Sequence, residues 1–197
     1  MIDKKGFTLI ELLAVITILG ILMLVAIPAV SRTIENARKN TFITTAQTYV
    51  QAVRNSWAAD EISCGSGTDR KVASALPSNG KDYFVLFATD SSKGDAYTNA
   101  SSLIGDGGKS SWGSADVEGF VRIHVEEVEA AGATDTDAKS IKLTYYVSMV
   151  DTGQHGIVSG KAIGDGAVPS DQLTRADVQV TSANYAAPGG TTCVVTG

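Results

Sequence analysis

Residues 4–30 read KKGFTLIELLAVITILGILMLVAIPAV, and this stretch decides how the chain is organised. It opens with a basic pair, and the 24 residues from 7 to 30 are almost entirely apolar. As an α-helix these residues would extend about 36 Å. That length is enough to cross a bilayer hydrocarbon core of about 30 Å. The stretch therefore predicts a membrane-spanning helix.

The basic pair indicates an orientation. Because Lys4 and Lys5 precede the apolar run, the positive-inside tendency places residues 1–6 in the cytoplasm and the rest outside. A secretory signal peptide also begins with basic residues, but its apolar region spans only about 7–15 residues and ends at a cleavage site with small residues. Here the apolar run is longer, and residues 28–32 lead into a helical pattern. These features favour a retained anchor.

One carboxylate interrupts the apolar run. A glutamate at the middle of a bilayer costs about 2.5–3.5 kcal/mol, and somewhat less near an interface. The sequence contains no Lys, Arg or His between Phe7 and Ser31 that could pair with Glu11. Since a charge held in an apolar setting needs a partner, Glu11 indicates pairing with another molecule. This is a first sign of assembly.

The combination of Gly6, Phe7, Glu11 and the apolar run resembles the N-terminus of type IV pilins, a family that includes the pseudopilins of type II secretion and the competence pilins. The resemblance implies that a prepilin peptidase cuts between Gly6 and Phe7, and that Phe7 is then N-methylated. It also implies that Glu11 pairs with the α-amino group of a neighbouring subunit during assembly. An ordinary anchor that happens to contain a glutamate is the alternative.

Gly20 and Pro28 match the places where helices of this family carry a helix-weakening glycine and a proline. The resemblance implies a structural subunit of a helical filament of identical copies. Its further partners would be the prepilin peptidase, the assembly machinery and, before assembly, membrane lipid. The precursor would be a single-pass plasma-membrane protein with a cytoplasmic N-terminus, and the assembled form would be an extracellular pilus.

Beyond the anchor, the helical pattern continues with one apolar face. The residues of this face are Ile34, Phe42, Ala46, Tyr49, Val53 and Trp57. A continuous helix is expected from about residue 8 to about residue 59, apolar all round at first and amphipathic later. We predict a cytoplasmic leader (1–6), a transmembrane and filament-core helix (7–30), an amphipathic continuation (31–60) and an extracellular β-rich domain (61–197).

The rest of the chain predicts strands. Residues 121–125 and 141–149 alternate apolar and polar side chains with a period of two. Residues 82–88 form an aromatic and apolar run that suits a short strand or a buried helical turn. Weaker candidates are a hairpin partner at 157–163 and edge strands at 178–181 and 193–195.

The predicted fold class is α+β, with the long helix packed on an antiparallel sheet of about four or five strands, as in the pilin fold. Two segments rich in Gly, Ser and Asp, residues 62–79 and 91–114, are expected to be loops, the second of them an exposed excursion.

Two cysteines, Cys64 and Cys193, lie near opposite ends of the part that follows the helix. An oxidising extracellular setting favours a disulfide between them, and two free thiols are the alternative. The bridge would close a loop of about 130 residues, which the chain-entropy model values at roughly 5 kcal/mol. With only His124 and His155 available, the cysteines do not suggest a zinc site.

The charge and composition of the chain bear on which ligands it could bind. The net charge of −5 and the lack of an extended basic block argue against a nucleic-acid partner. Acidic loop residues could offer oxygen ligands to a structural calcium ion, although none follows EF-hand spacing. These residues are Asp90, Asp95, Asp106, Asp135, Asp137 and Asp165. We predict no cofactor.

No arrangement of catalytic residues emerges from the sequence. Residues 105–110 end like a phosphate-binding loop but lack its spacing, and both histidines are expected at the surface. An enzyme is therefore not predicted. A minor pilin that acts as an adhesin through residues 91–114, and a pseudopilin of a secretion or DNA-uptake system, stay open beside a major pilin.

Overall fold

The computed structural model describes residues 8–66, 69–76, 79–105, 109–113, 116–129, 139–157, 167–180 and 188–196. The chain divides into two compact units, Met1–Arg38 and Lys39–Gly197. Helix α1, Leu9–Ala58, begins in the first unit and ends in the second, close to the bounds that the sequence predicts. In the first unit every described side chain is exposed.

The second unit combines the end of α1 with a β-sheet. Among its described residues, the remaining helical elements are α2 (Ala100–Leu103) and three short 3-10 turns at Ala73–Ala75, Ser91–Lys93 and Arg175–Asp177. Its strands are β1 (Ile62–Cys64), β2 (Lys71–Val72), β3 (Lys81–Ala88), β4 (Thr98–Asn99), β5 (Val117–Glu129), β6 (Lys139–Asp151), β7 (Gly156–Ile157), β8 (Val168–Pro169), β9 (Val178–Gln179) and β10 (Thr191–Val195).

The strands form one mostly antiparallel sheet in the order β2-β1-β10-β3-β5-β6-β7-β9, with β4 beside β3 and β8 beside β6. Its centre is the hairpin of β5 and β6, which pair along all 13 residues of each strand. The α+β class is confirmed. The described residues form ten strands rather than four or five, because five of the strands (β2, β4, β7, β8 and β9) are only two residues long. Such short pairings leave no period-two pattern in a sequence.

The main core of the second unit lies between α1 and one face of the sheet. Four residues of the predicted apolar face of the helix, Phe42, Ala46, Tyr49 and Val53, are fully buried there. The Tyr49 ring stacks on Phe87 of β3 with 4.0 Å between centroids and 14° between planes. An aromatic stack therefore adds to the burial of apolar surface that holds the helix on the sheet.

The opposite face of the sheet carries a smaller apolar cluster, in which the side chains of Phe84, Leu86, Phe120 and Ala167 are buried. Arg122 is also buried there, and its guanidinium lies 3.9 Å from the centroid of the Tyr146 ring. The charge is thus held against an aromatic face, an arrangement favoured by the ring quadrupole.

Two segments predicted as loops contain regular structure. Residues 62–79 include β1 and β2, which pair with each other. Residues 91–114 include β4 and α2, and Thr98, Ala100 and Ile104 are buried. The expectation of a wholly exposed excursion at 91–114 was therefore wrong for its described residues. Small side chains such as Ala100 fit under the sheet despite the loop-like composition around them.

The C-terminal strand was expected at an edge of the sheet and instead lies inside it. Strand β10 pairs antiparallel with β1 and parallel with β3, so the sheet is mixed rather than purely antiparallel. Cys64 of β1 and Cys193 of β10 face each other in register and form a disulfide. Both cysteines are buried, so the bond is part of the core.

A methyl group at Gly119 is expected to destabilise the second unit strongly. A Cβ there would lie 2.3 Å from the Ser148 carbonyl oxygen and 2.7 Å from Cζ of Phe87. Since the nearest atom is backbone of the paired strand β6, the central hairpin would have to shift, at a cost of about 1–3 kcal/mol or more. Thermal unfolding of Gly119→Ala followed by near-UV circular dichroism measures the effect. Gly105→Ala is the control, since its Cβ would meet no atom within 4 Å, and equal melting temperatures for the two variants would contradict the prediction.

Candidate functional site

The first part of α1 is an apolar helix whose described side chains are exposed. Among the described residues, α1 is the helix that is long and apolar enough to cross a membrane, and none of its most apolar 18-residue window is buried. Large side chains such as Leu9, Leu24 and Val25 are more than two-thirds exposed. So much exposed apolar surface requires lipid or protein around it.

A carboxylate and a hydroxyl are paired at the start of this helix. Thr8 immediately precedes α1, and its backbone N–H and its hydroxyl donate to Oε2 of Glu11 at 2.9 and 2.8 Å. In return, the Glu11 N–H donates to the Thr8 hydroxyl oxygen at 3.4 Å. This is a capping box, in which a Thr before the helix and a Glu three residues later satisfy each other's backbone N–H groups.

The capping box fixes the position of the Glu11 side chain. Both bonds from Thr8 end on Oε2, and a carboxylate has two oxygens that each accept more than one bond. Oε1 can therefore accept a donor from another molecule without breaking the cap. The helix N-terminus also favours a negative charge in its first turn.

The capping box was missed in the sequence analysis, although its signature was present. A Thr followed three residues later by Glu, ahead of an apolar run, is the sequence form of the motif, and residues 8–11 read TLIE. Glu11 was interpreted only as half of an intermolecular pair. The structure adds a local contact to that interpretation.

The predicted cleavage and methylation positions, Gly6 and Phe7, lie outside the described residues. The two predicted sites of helix flexibility lie inside α1. A methyl group at Gly20 would meet no atom within 4 Å, and Pro28 lies in the helix without ending it. Proline has no N–H to donate, so the helix lacks one hydrogen bond at that point.

Hydroxyl groups along the apolar helix bond to its own backbone. Thr17 Oγ1 donates to the carbonyl of Ala14 at 2.8 Å, and Ser31 Oγ donates to the carbonyl of Ile27 at 2.9 Å. Polar groups inside a bilayer must be satisfied within the protein. These two hydroxyls meet that requirement without a partner helix.

A cluster of a serine, an aspartate and a histidine lies elsewhere, in the second unit. Asp151 is buried and accepts a bond from the Ser110 hydroxyl, and its Oδ1 accepts one from the His155 backbone N–H at 2.9 Å. His155 Nδ1 lies 3.0 Å from both carboxylate oxygens, and its ring stacks on Trp112. The serine thus bonds to the aspartate rather than to the histidine. A catalytic Ser-His-Asp triad needs the serine hydroxyl at the imidazole. This cluster is instead a structural network that ties the segment around Ser110 to the turn that follows β6.

The acidic residues proposed as calcium ligands are distributed along the chain. Asp90 accepts bonds from the N–H and hydroxyl of Ser92 at 2.8 and 2.9 Å, which hold the pKa of its carboxyl below the usual value. Within the described ranges, no group of three or more His, Cys, Asp or Glu side chains is arranged to hold a metal ion. Four candidates fall outside those ranges: Asp106, Asp135, Asp137 and Asp165.

His124 is partly buried on the face of the sheet that carries the smaller apolar cluster. Its Nδ1 lies 2.7 Å from Asp82 Oδ1, and its Nε2 lies 3.3 Å from Glu126 Oε1. The two carboxylates lie at opposite nitrogens of the ring, so they cannot join the imidazole around a single ion. The contact of Asp82 with His124 links neighbouring strands β3 and β5, whereas Glu126 and His124 both belong to β5.

Comparison with known protein families finds a match at the N-terminus. Residues 1–27 match the family model described as prokaryotic N-terminal methylation motif, which is characteristic of type IV pilins and prepilin-like proteins. No curated protein and no solved structure matches the chain. The motif supports a pilin-like or pseudopilin-like protein, a structural class, whose precursor is anchored in a membrane.

Proposed function

We propose that the chain is the structural subunit of a type IV pilus-like filament. The peptidase cuts between Gly6 and Phe7, Phe7 is N-methylated, and the mature subunits polymerise through the N-terminal helix. The observation that carries this proposal is the methylation motif over residues 1–27, which overlaps the exposed apolar start of α1 and includes Glu11.

Cleavage would create the cation that Glu11 lacks. The new α-amino group of Phe7 is positively charged, and Glu11 Oε1 has room for a further donor beside the Thr8 cap. An ammonium group and a carboxylate in an apolar setting each stabilise the other. Pairing Phe7 of one subunit with Glu11 of the next satisfies both.

Repetition of this contact produces a filament. The donor and the acceptor are different groups on each subunit, so the interface is heterologous. A heterologous contact that does not close into a ring continues as a helical fibre. The exposed apolar side chains of α1 would then exchange lipid for the helices of neighbouring subunits, so that the anchor becomes the filament core.

We further propose that the precursor crosses the membrane once and that the chain has four parts. The precursor lies in the plasma membrane, with the leader 1–6 and its two lysines in the cytoplasm. Residues 7–30 cross the bilayer, residues 31–60 continue the helix, and residues 61–197 form the extracellular domain. The buried disulfide of that domain suits an oxidising exterior. The partners of the whole chain are identical copies of itself, the prepilin peptidase and the membrane assembly machinery.

Mass spectrometry of the mature chain tests the proposal. We expect an N-terminal peptide that begins with Phe7 and carries one added methyl group, recovered from sheared surface filaments in which this chain is the main component. A Gly6→Leu chain is the control and should keep its leader. A mature N-terminus at any other residue would contradict the proposed processing. Recovery of the chain only as a trace component would point to a pseudopilin or a minor pilin.

A further inference from the structure

An apolar groove opens in the second unit where α1 ends. Its volume is about 460 Å³, and its lining includes Val125, Ile141 and Leu143 of the β5–β6 hairpin. Trp57 of α1 and Leu76, which follows β2, also line it. Trp57, Leu76 and Leu143 border the main core and are only partly buried. The core therefore reaches the surface at this groove.

Exposed large apolar side chains are rare beyond residue 30. In the described part of the chain they are Ile34, Val72 and Ile141, with 47 %, 42 % and 61 % of their surface exposed. Ile141 lines the groove, and Val72 directly precedes another lining residue, Ala73. The third, Ile34, lies on α1 one helical turn after Val30. The described part of the chain thus exposes an apolar groove in the second unit and an apolar side chain, Ile34, on α1.

We propose that the groove binds the α1 segment around Ile34 of a second copy of this chain. The inference rests on the proposed filament, because only repeated copies bring the two surfaces together at every subunit. Val30 and Ile34 are four residues apart and so lie on the same face of the helix. An apolar helix face seated in an apolar groove is a common mode of protein recognition.

Charge at the edge of the groove favours this occupant. Asp60 lines the groove, and its two carboxylate oxygens accept bonds from the N–H and hydroxyl of Ser74, both at 2.8 Å. These bonds hold an exposed negative charge at the groove's edge. On the helix, exposed Arg38 lies four residues after Ile34 and so on the same face. Complementary charges beside an apolar contact set its register.

The contact is heterologous, since groove and helix segment are different surfaces, and so it propagates along a fibre. It would act outside the apolar span, apart from the Glu11 pair. Each subunit would then be held at two separated places, one at the start of α1 and one beyond residue 30. Two linked contacts bind more tightly than either alone, because the second forms at high effective concentration.

Cysteine cross-linking in filaments tests the contact. The only native cysteines, Cys64 and Cys193, are bonded to each other, so a full-length chain with Ile34→Cys and Ile141→Cys has two new thiols at exposed positions. Oxidised filaments of this chain should give a ladder of covalent multimers, while either single variant gives at most dimers. The control chain combines Ile34→Cys with Asp95→Cys, since Asp95 is exposed and follows the far end of β3.

Intact filaments without a ladder, or with an equal ladder from the control chain, would overturn the contact and leave the proposed filament standing. Parent chains that form no filaments at all would instead refute the proposed function. A double-mutant cycle gives a second test that needs no new thiol. Arg38→Gln or Asp60→Asn should each lower filament yield roughly two- to fivefold, and the double variant should lower it no further. Independent, multiplying losses would contradict the pairing.

Discussion

A Glu11→Ala chain is expected to be cleaved normally and to form no detectable filaments. Removing one member of an ion pair in an apolar setting leaves the other charge unpaired, at a cost of about 3–5 kcal/mol. At about 1.4 kcal/mol per factor of ten, each subunit contact would weaken by roughly 10² to 4 × 10³. Immunoblotting for the processed chain, together with its amount in sheared filaments, measures both effects.

The capping box requires a control for this experiment, because the alanine also removes the bonds that Thr8 donates. Loss of a helix cap alone costs about 0.5–2 kcal/mol. Glu11→Gln retains an oxygen that accepts those bonds but removes the charge, so we expect it to fail in assembly as well. Filaments from the Gln variant at the parental level would show that the cap, rather than the charge, is what assembly needs.

Removing the disulfide is expected to destabilise the second unit by roughly 5 kcal/mol in the chain-entropy model. Cys64 and Cys193 are 129 residues apart in sequence, so the bond restricts most of the unfolded domain. It also fixes β10 between β1 and β3. Denaturant unfolding of the full chain in detergent, with Cys64→Ala and Cys193→Ala combined, measures the loss.

The adjacent cross-strand pair supplies a matched control for the disulfide. Ser63 and Val194 pair in the same two strands and are only partly buried. Replacing both with Ala shortens side chains at the same place without removing a covalent bond, and should cost about 1 kcal/mol or less. If the two double variants unfold at the same denaturant concentration, the disulfide does not have the predicted role.

Much of the helix could be predicted from the sequence, since both of its signals are local. A long apolar run and a stripe at helical spacing gave bounds within about a residue of Leu9–Ala58. The stripe fails at its first member, Ile34, which is exposed. Periodicity shows which side chains share a face, but it does not show where the protein that covers that face begins.

The long strands were also recognisable, because residues 121–125 of β5 and 141–149 of β6 alternate apolar and polar side chains. The shorter strands left only weak signals or none, because two residues are too few for a period-two pattern. Strand β10 lies beside β3 only because residues 191–193 pair with residues 83–85, and nothing in five residues specifies such a neighbour. The candidate site shows the same limit. Glu11 stood out by its cost in an apolar run, whereas the groove at Ile141 is assembled from four separate segments.

The place of β10 has a consequence for the order of folding. The first strand of the domain pairs with the last one, so this part of the sheet can close only after the whole chain has been delivered. Strands β3, β5 and β6 lie closer together in sequence and can pair earlier. Contacts between distant residues slow folding because the intervening loop must first be closed. The docking of the C-terminal strand is thus expected to be the late, slow step, during which the edges of β1 and β3 are open to other chains.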